Sequence, residues 1–162
     1  MQTLQSSSNL HPLLLIIRGL PGSGKSTEAK RYAQEHAIAT TDDYPGLYSR
    51  WGDLAGEPLE FNGSKMLGEF PLIAHAHKAN EVKVRKLMQD GEPCIVVPNT
   101  STRHWEYHIY TEMAKEFGYN EEQIDLYDAG LSDEELYERC VHNVPIEVIA
   151  KMRSRYQRGP RK

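Results

Sequence analysis

Residues 19–26 read Gly-Leu-Pro-Gly-Ser-Gly-Lys-Ser, which meets every fixed position of the pattern G-x-x-x-x-G-K-[ST]. The pattern directly follows the longest apolar run of the chain, residues 13–17, and opens a segment of helix-compatible composition, residues 24–36. A buried strand, a glycine turn and a helix in that order build a cradle for phosphate. The glycines let successive backbone N–H groups turn inward, and the helix N-terminus adds partial positive charge. Lys25 then offers a full charge to β- and γ-phosphate oxygens, and the Ser26 hydroxyl offers a ligand to Mg²⁺. Gly19, Leu20, Pro21, Gly22, Ser23, Gly24, Lys25, Ser26 and Thr27 are therefore the expected nucleotide-binding residues.

The rest of the chain bounds what this cradle can serve. At 162 residues it suits a single domain with one core. With 39% hydrophobic and 26% charged residues it falls among ordinary globular proteins. No apolar run nears the roughly 20 residues that span a bilayer, and the polar start carries neither the basic flank nor the length of a signal peptide. Two cysteines, Cys94 and Cys140, lack metal-ligand spacing and point to a reducing compartment, with the cytoplasm as the expectation. The net charge of −4 is uneven: Lys151, Arg153, Arg155, Arg158, Arg161 and Lys162 put six cations at the C-terminal end. Such a stretch can draw a polyanion to one edge, or it can simply answer the dipole of a helix C-terminus.

Along the chain, residues 1–12 read as a flexible lead-in, residues 13–157 as the domain and residues 158–162 as a basic tail. Strands are expected at residues 13–18, 38–41, 94–97 and 123–127. Residues 45–71, where prolines and glycines surround aromatics, read as a loop-rich insertion. After Pro71, the positions Ile73, His77, Asn80, Val84 and Leu87 fall at helical spacing up to Gly91, and Trp105, Ile109, Met113 and Phe117 do so up to Gly118. Ser132 with Glu135 makes a capping box for a short helix to about Cys140, and Pro145 opens a last helix to about Tyr156. Alternating strands and helices predict an α/β domain with a parallel sheet covered on both faces and ligands at the strands' carboxyl ends.

GTPases, motor ATPases and small kinases all use such a cradle, so other residues must discriminate. No guanine-reading N-K-x-D occurs, and the third strand ends in Pro98-Asn99 where a motor ATPase places a metal-binding carboxylate; both favour ATP and a kinase. A kinase needs a carboxylate near the γ-phosphate to orient and deprotonate the acceptor. The second strand ends in Thr41-Asp42-Asp43-Tyr44, and Asp42 is preferred over Asp43 for that task and for contact with Mg²⁺.

These residues resemble the polynucleotide kinase-like P-loop kinases, which include bacteriophage polynucleotide 5′-kinases and related phage DNA kinases. The resemblance spans about residues 14–156. It rests on the segment from Gly19 to Thr27, on Thr41-Asp42-Asp43-Tyr44, on Asn99-Thr100 with Trp105 and Glu106, and on Glu138-Arg139 followed by His142-Asn143-Val144-Pro145. It implies a three-layer sandwich with a short helical lid at about residues 131–145, ATP and Mg²⁺ as cofactors, and a DNA or nucleotide substrate away from membranes. Lys25, Asp42 and Arg139 would be catalytic: Asp42 as general base, and Arg139 as a lid arginine whose fork binds two phosphate oxygens. His77 matches a histidine of the family's middle helix, and a core role is the alternative. The acceptor would be a 5′-OH end or the hydroxymethyl group of a modified pyrimidine such as 5-hydroxymethyluracil. A small-metabolite or nucleoside kinase and a non-catalytic ATP-sensing module are the alternatives. The chain departs from the pattern at Pro45, Pro98, Cys140 and Asn143, which bears on acceptor binding and on a second carboxylate in the site.

Overall fold

A run of residues buried on both sides needs cover on both sides, and β1 (Leu13–Arg18) finds it in the middle of a parallel sheet. The computed structural model describes residues 12–49, 60–140 and 144–159. Outside the described residues lie most of the expected lead-in, residues 50–59 of the loop-rich insertion, His142 and Asn143 of the lid motif, and Arg161 and Lys162 of the tail.

After β1 come α1 (Lys25–Ala29), the two-residue strands β2 (Tyr48–Ser49), β3 (Glu60–Phe61), β4 (Met66–Leu67) and β5 (Phe70–Pro71), and the long α2 (Leu72–Gln89). The chain continues with β6 (Cys94–Val97), α3 (His108–Phe117), β7 (Asn120–Asp125), α4 (Asp133–Arg139) and α5 (Ile146–Arg155). The sheet order is β6-β1-β7, all parallel, with Leu13 level with Cys94 on one side and with Asn120 on the other. Leu14 and Ile16 face Val84 and Met88 of α2 and Tyr110 and Met113 of α3, while Leu15 and Ile17 face Ala29, Ile38 and Val96. The result is the expected α/β, three-layer, P-loop kinase-like fold.

Local chemistry explains where elements depart from expectation. The strand expected at residues 38–41 shrinks to one parallel bridge, Ile38 with Val96, because Thr41–Asp43 turns into a 3-10 helix capped by Thr40. The helix expected over residues 24–36 ends at Ala29: Arg31 and Tyr32 bond only three residues back, and beyond Ala29 only Ala33 still packs on the core. Strand β7 ends earlier than expected, since Tyr127 takes a positive φ of 49°.

Two helical stripes also shift. In α2 the buried positions are Ala76, Asn80, Val84 and Met88, and His77 is exposed rather than a core residue. Burial of Asn80 is offset by its amide, which donates to the Ala39 carbonyl at 3.2 Å and to the Tyr110 hydroxyl at 2.9 Å. Ahead of α3, His104–Tyr107 forms a 3-10 turn, whose tighter winding changes the angular phase. Tyr107, Tyr110, Met113 and Ala114 therefore face inward, and Trp105 stands 66% exposed. The Ser132–Glu135 capping box is present in both directions, at 3.1 and 3.0 Å.

Arg18 closes β1 as a fully buried cation. Its guanidinium donates to the carbonyls of Ser101, Thr102, Gln157 and Gly159, and its carbon lies 5.1 Å from the Tyr107 ring centre and 4.9 Å from that of Tyr156. Four carbonyls, two ring faces and the Asp125 carboxylate 3.9 Å away replace the water such a charge gives up. The C-terminal cations are likewise engaged within the fold. Arg153 donates to Asp128, Asp133 and the Leu131 carbonyl, Arg155 to the Thr102 hydroxyl, and Arg158 lies 4.3 Å over Tyr127. Arg153 ties α5 to the lid region, whereas Arg155 and Arg158 stay exposed beside their contacts, and Lys151 is exposed too.

Candidate active site

The P-loop leaves β1 at Gly19, whose N–H donates to the Thr100 carbonyl, and reaches α1 through two residues with positive φ, Gly22 at 84° and Gly24 at 101°. Those angles are open to glycine at little cost, and within the turn the Ser23 N–H donates to the Leu20 carbonyl at 3.0 Å. Leu20 points the other way, into a buried cluster with Leu136 of α4 and Ile149 of α5, and Ser23 is buried beneath the loop. A Cβ on Gly22 would lie 2.4 Å from the Leu136 carbonyl oxygen, so the lid backbone rests directly on the loop.

Pro21, Gly22, Gly24, Lys25, Ser26 and Thr27 line a cavity of about 440 Å³. A second wall comes from Thr41, Asp42, Tyr48 and Phe61, and a third from Pro98, Asn99 and Thr100 at the carboxyl end of β6. The lid closes the space with Arg139, Cys140, Val144, Pro145, Val148 and Met152. Lys25, Asp42 and Arg139, placed on three different elements, thus share one cavity. Asp43, next in the chain, is exposed and does not line it.

Each of these groups is held differently. Burial pulls the Lys25 ammonium down to about 8, against the opposing attraction of Asp42, and its Nζ donates to the Leu20 carbonyl at 3.2 Å. Asn99 fixes the turn that carries Asp42: its side-chain oxygen accepts from the Thr41 N–H at 3.1 Å, while the Asp42 N–H donates to the Thr40 hydroxyl at 3.2 Å. Tyr48 Oη donates to Asp42 Oδ1 at 2.9 Å, and burial beside that carboxylate pushes the phenol far above its usual range. It stays a neutral donor at working pH. Burial also raises the Cys140 thiol, with Lys25 pulling the other way. Arg139 is exposed at the end of α4 and makes no hydrogen bond or ion pair among the described residues.

A glycine turn, a desolvated lysine and a helix start lining one cavity fit a nucleotide's phosphates. No group of three or more His, Cys, Asp or Glu side chains gathers for a metal among the described residues. A hydroxyl at Ser26 and a carboxylate at Asp42 instead suit Mg²⁺, which keeps most of its octahedron for water and phosphate oxygens. Sequence reasoning passed over Tyr48 and Phe61, which sit in the loop-rich insertion, and gave Asn99 no task. The only signal for the first two was aromatic residues in an otherwise polar loop.

Comparison with known proteins places this geometry in context. The chain is 28% identical over 151 residues to NEDD4-binding protein 2 of Homo sapiens, a match that covers 90% of this chain and 8% of that protein. Its fold is shared with a chain of the Pnkp1/Rnl/Hen1 RNA repair complex, with a TM-score of 0.59, 20% identity and coverage of 95% of this chain and 46% of that one. A second structure of the Pnkp1/Rnl/Hen1 complex gives a TM-score of 0.55 at 22% identity, over 84% of this chain and 41% of that one. The chain therefore spans less than half of each of these proteins. Among the described residues no helix is long and apolar enough to cross a membrane. A family model described as an AAA domain matches residues 14–158, most of the chain, and the chain belongs to that family, AAA_33.

Proposed function

We propose that this protein is an ATP-dependent kinase that transfers the γ-phosphate to a hydroxyl of a nucleic acid, either a 5′-OH end or the hydroxymethyl group of a modified pyrimidine. The observation that carries the reading is the convergence of the P-loop, Asp42 and Arg139 on one cavity. A sheltered carboxylate facing a phosphate cradle suits phosphoryl transfer, whose demands are placement and charge compensation.

In this reading the P-loop N–H groups and Lys25 hold the triphosphate, and Ser26 and Asp42 are the residues that would hold Mg²⁺. Bound there, the ion would neutralise charge on the phosphate oxygens. Asp42 accepts the proton of the acceptor hydroxyl as its oxygen attacks the γ-phosphorus, with ADP leaving in line. Arg139, uncommitted among the described residues, reaches the transferring group from the lid. The nucleic-acid acceptor is supported by the family resemblance of the motifs and by the fold shared with a chain of an RNA repair complex. RNA ends therefore belong among the acceptors tested.

Incubation with labelled ATP, Mg²⁺ and 5′-OH DNA, 5′-OH RNA or hydroxymethyluracil-containing DNA is expected to label one of these polymers. Transfer only to a free sugar or nucleoside would establish the small-metabolite or nucleoside alternative. Asp42→Asn should abolish transfer while leaving ATP affinity within a few-fold. An ATP-sensing module would show no transfer before or after that change.

A further inference from the structure

Phe61 is an apolar side chain in an unusual place. It is 47% exposed, yet it lines the same cavity as Lys25, Asp42 and Arg139. Its orientation is set from behind. The ring lies 5.4 Å from that of Tyr48 at an angle of 50°, and β3 holds it there through the Tyr48–Phe61 pairing with β2. Its ring tip also packs so closely on Gly63 that a Cβ at that residue would sit 1.9 Å from Cζ. A glycine there makes room for the ring, and the ring keeps an open face toward the cavity. Tyr48, against which the ring leans, is the residue that donates to Asp42.

A fixed, half-exposed aromatic face beside the expected general base offers neither charge nor a hydrogen bond to a phosphate. It offers a stacking surface to a flat group, and every nucleobase has one. Resting on the kinase reading, we propose that Phe61 is the platform for the base of the 5′-terminal nucleoside, whose own 5′-hydroxyl is presented to Asp42. A chain end enters such a cavity without the cost of flipping an internal base from its stack, which favours the 5′-OH acceptor over the base hydroxymethyl group. Recognition by stacking tolerates any base, so the site would select for a nucleoside end and against an end without a base.

The test compares two oligonucleotides that share a 5′-CH₂OH, one ending in an ordinary nucleoside and one in an abasic tetrahydrofuran residue. Transfer from labelled ATP is followed with the wild-type protein, Phe61→Leu and Phe61→Trp. The wild type is expected to show a KM about tenfold or more lower for the end that carries a base. Phe61→Leu should shrink that difference, raising the KM for the base-bearing end severalfold more than that for the abasic end, and Phe61→Trp should restore it. Equal KM values for the two ends in the wild type, or a loss in Phe61→Leu that affects both ends equally, would overturn the platform while leaving the kinase reading intact. Absence of transfer to either end, with labelling of hydroxymethyluracil DNA or of no polymer, would overturn the 5′-OH assignment itself.

Discussion

Tyr48 Oη donates a 2.9 Å hydrogen bond to Asp42 Oδ1, so the carboxylate that faces the P-loop is held from the loop-rich side of the cavity. With Asn99 clamping the backbone of the same turn through Thr41, the two contacts fix Asp42 in position without using Lys25. Hydrogen bonds to a charged group are worth about 1.5–3 kcal/mol. Tyr48→Phe is therefore expected to lower kcat about tenfold, with the KM for ATP nearly constant, in steady-state kinetics. An unchanged kcat would remove Tyr48 from the positioning of Asp42.

Lys25 predicts proton uptake on nucleotide binding. Burial lowers its pKa to about 8, and phosphate oxygens beside it raise the pKa again, so at pH 8.5 nucleotide binding should draw roughly half a proton or more from solution. At pH 6.5 the lysine is already charged and contributes no uptake. Calorimetry in two buffers of different ionisation enthalpy measures this directly, and Lys25→Met should abolish the pH 8.5 signal. The same shift acts on folding with a fixed sign. The buried charge costs stability fully below about pH 8, and that cost lifts as pH rises toward the ordinary value of 10.5.

Two glycines of the P-loop should respond differently to alanine. Both have positive φ, which costs a side chain about 1–2 kcal/mol. A methyl group on Gly24 would meet open space, whereas on Gly22 it would meet the Leu136 carbonyl at 2.4 Å. Thermal unfolding should show a modest loss for Gly24→Ala and a clearly larger one for Gly22→Ala, with weaker nucleotide binding as the lid is pushed from the loop. Equal losses would show that the lid does not rest on the loop in solution.

The C-terminal region carries two arginines with opposite expected phenotypes. Arg153 is tied to Asp128, Asp133 and the Leu131 carbonyl, so Arg153→Ala should cost about 2–3 kcal/mol and lower Tm by several degrees. Arg139 lines the cavity and is exposed, so Arg139→Ala should leave Tm within about a degree while kcat drops a hundredfold or more. An active Arg139→Ala would remove it from the catalytic set.

The parts of this molecule legible in its sequence are those fixed by local rules. The P-loop needs glycine at set positions, the capping box needs Ser132 and Glu135 three apart, and a five-residue apolar run demands a central strand. What was not legible depended on contacts between distant segments. The outward turn of Trp105 follows from a 3-10 turn that shifts the helical phase, a change invisible to four-residue spacing. Asn80 falls on the expected inner stripe, but the partners that make its burial tolerable, Ala39 and Tyr110, come from distant segments. The C-terminal cations could draw a polyanion or answer a helix dipole, and the contacts of Arg153, Arg155 and Arg158 with Asp128, Asp133, Thr102 and Tyr127 are visible only in the fold. In the cavity, the P-loop and Asp42 were marked by motif, whereas Tyr48 and Phe61 gained meaning only when the antiparallel pairing of β2 with β3 set them at its wall.

Arg18 bears on how the chain folds as it is made. The carbonyls of Gln157 and Gly159 that receive its guanidinium lie 139 and 141 positions further along the chain. A nascent polypeptide emerging from the ribosome has the central strand long before it has those acceptors. Until they arrive, packing β1 would bury a cation with two of its four carbonyl acceptors missing and only the Asp125 carboxylate, 3.9 Å away, as a charge partner, at a cost of several kcal/mol. The sheet is therefore expected to lock only after synthesis has passed residue 159, with the emerging chain kept open by one arginine that has yet to find its place.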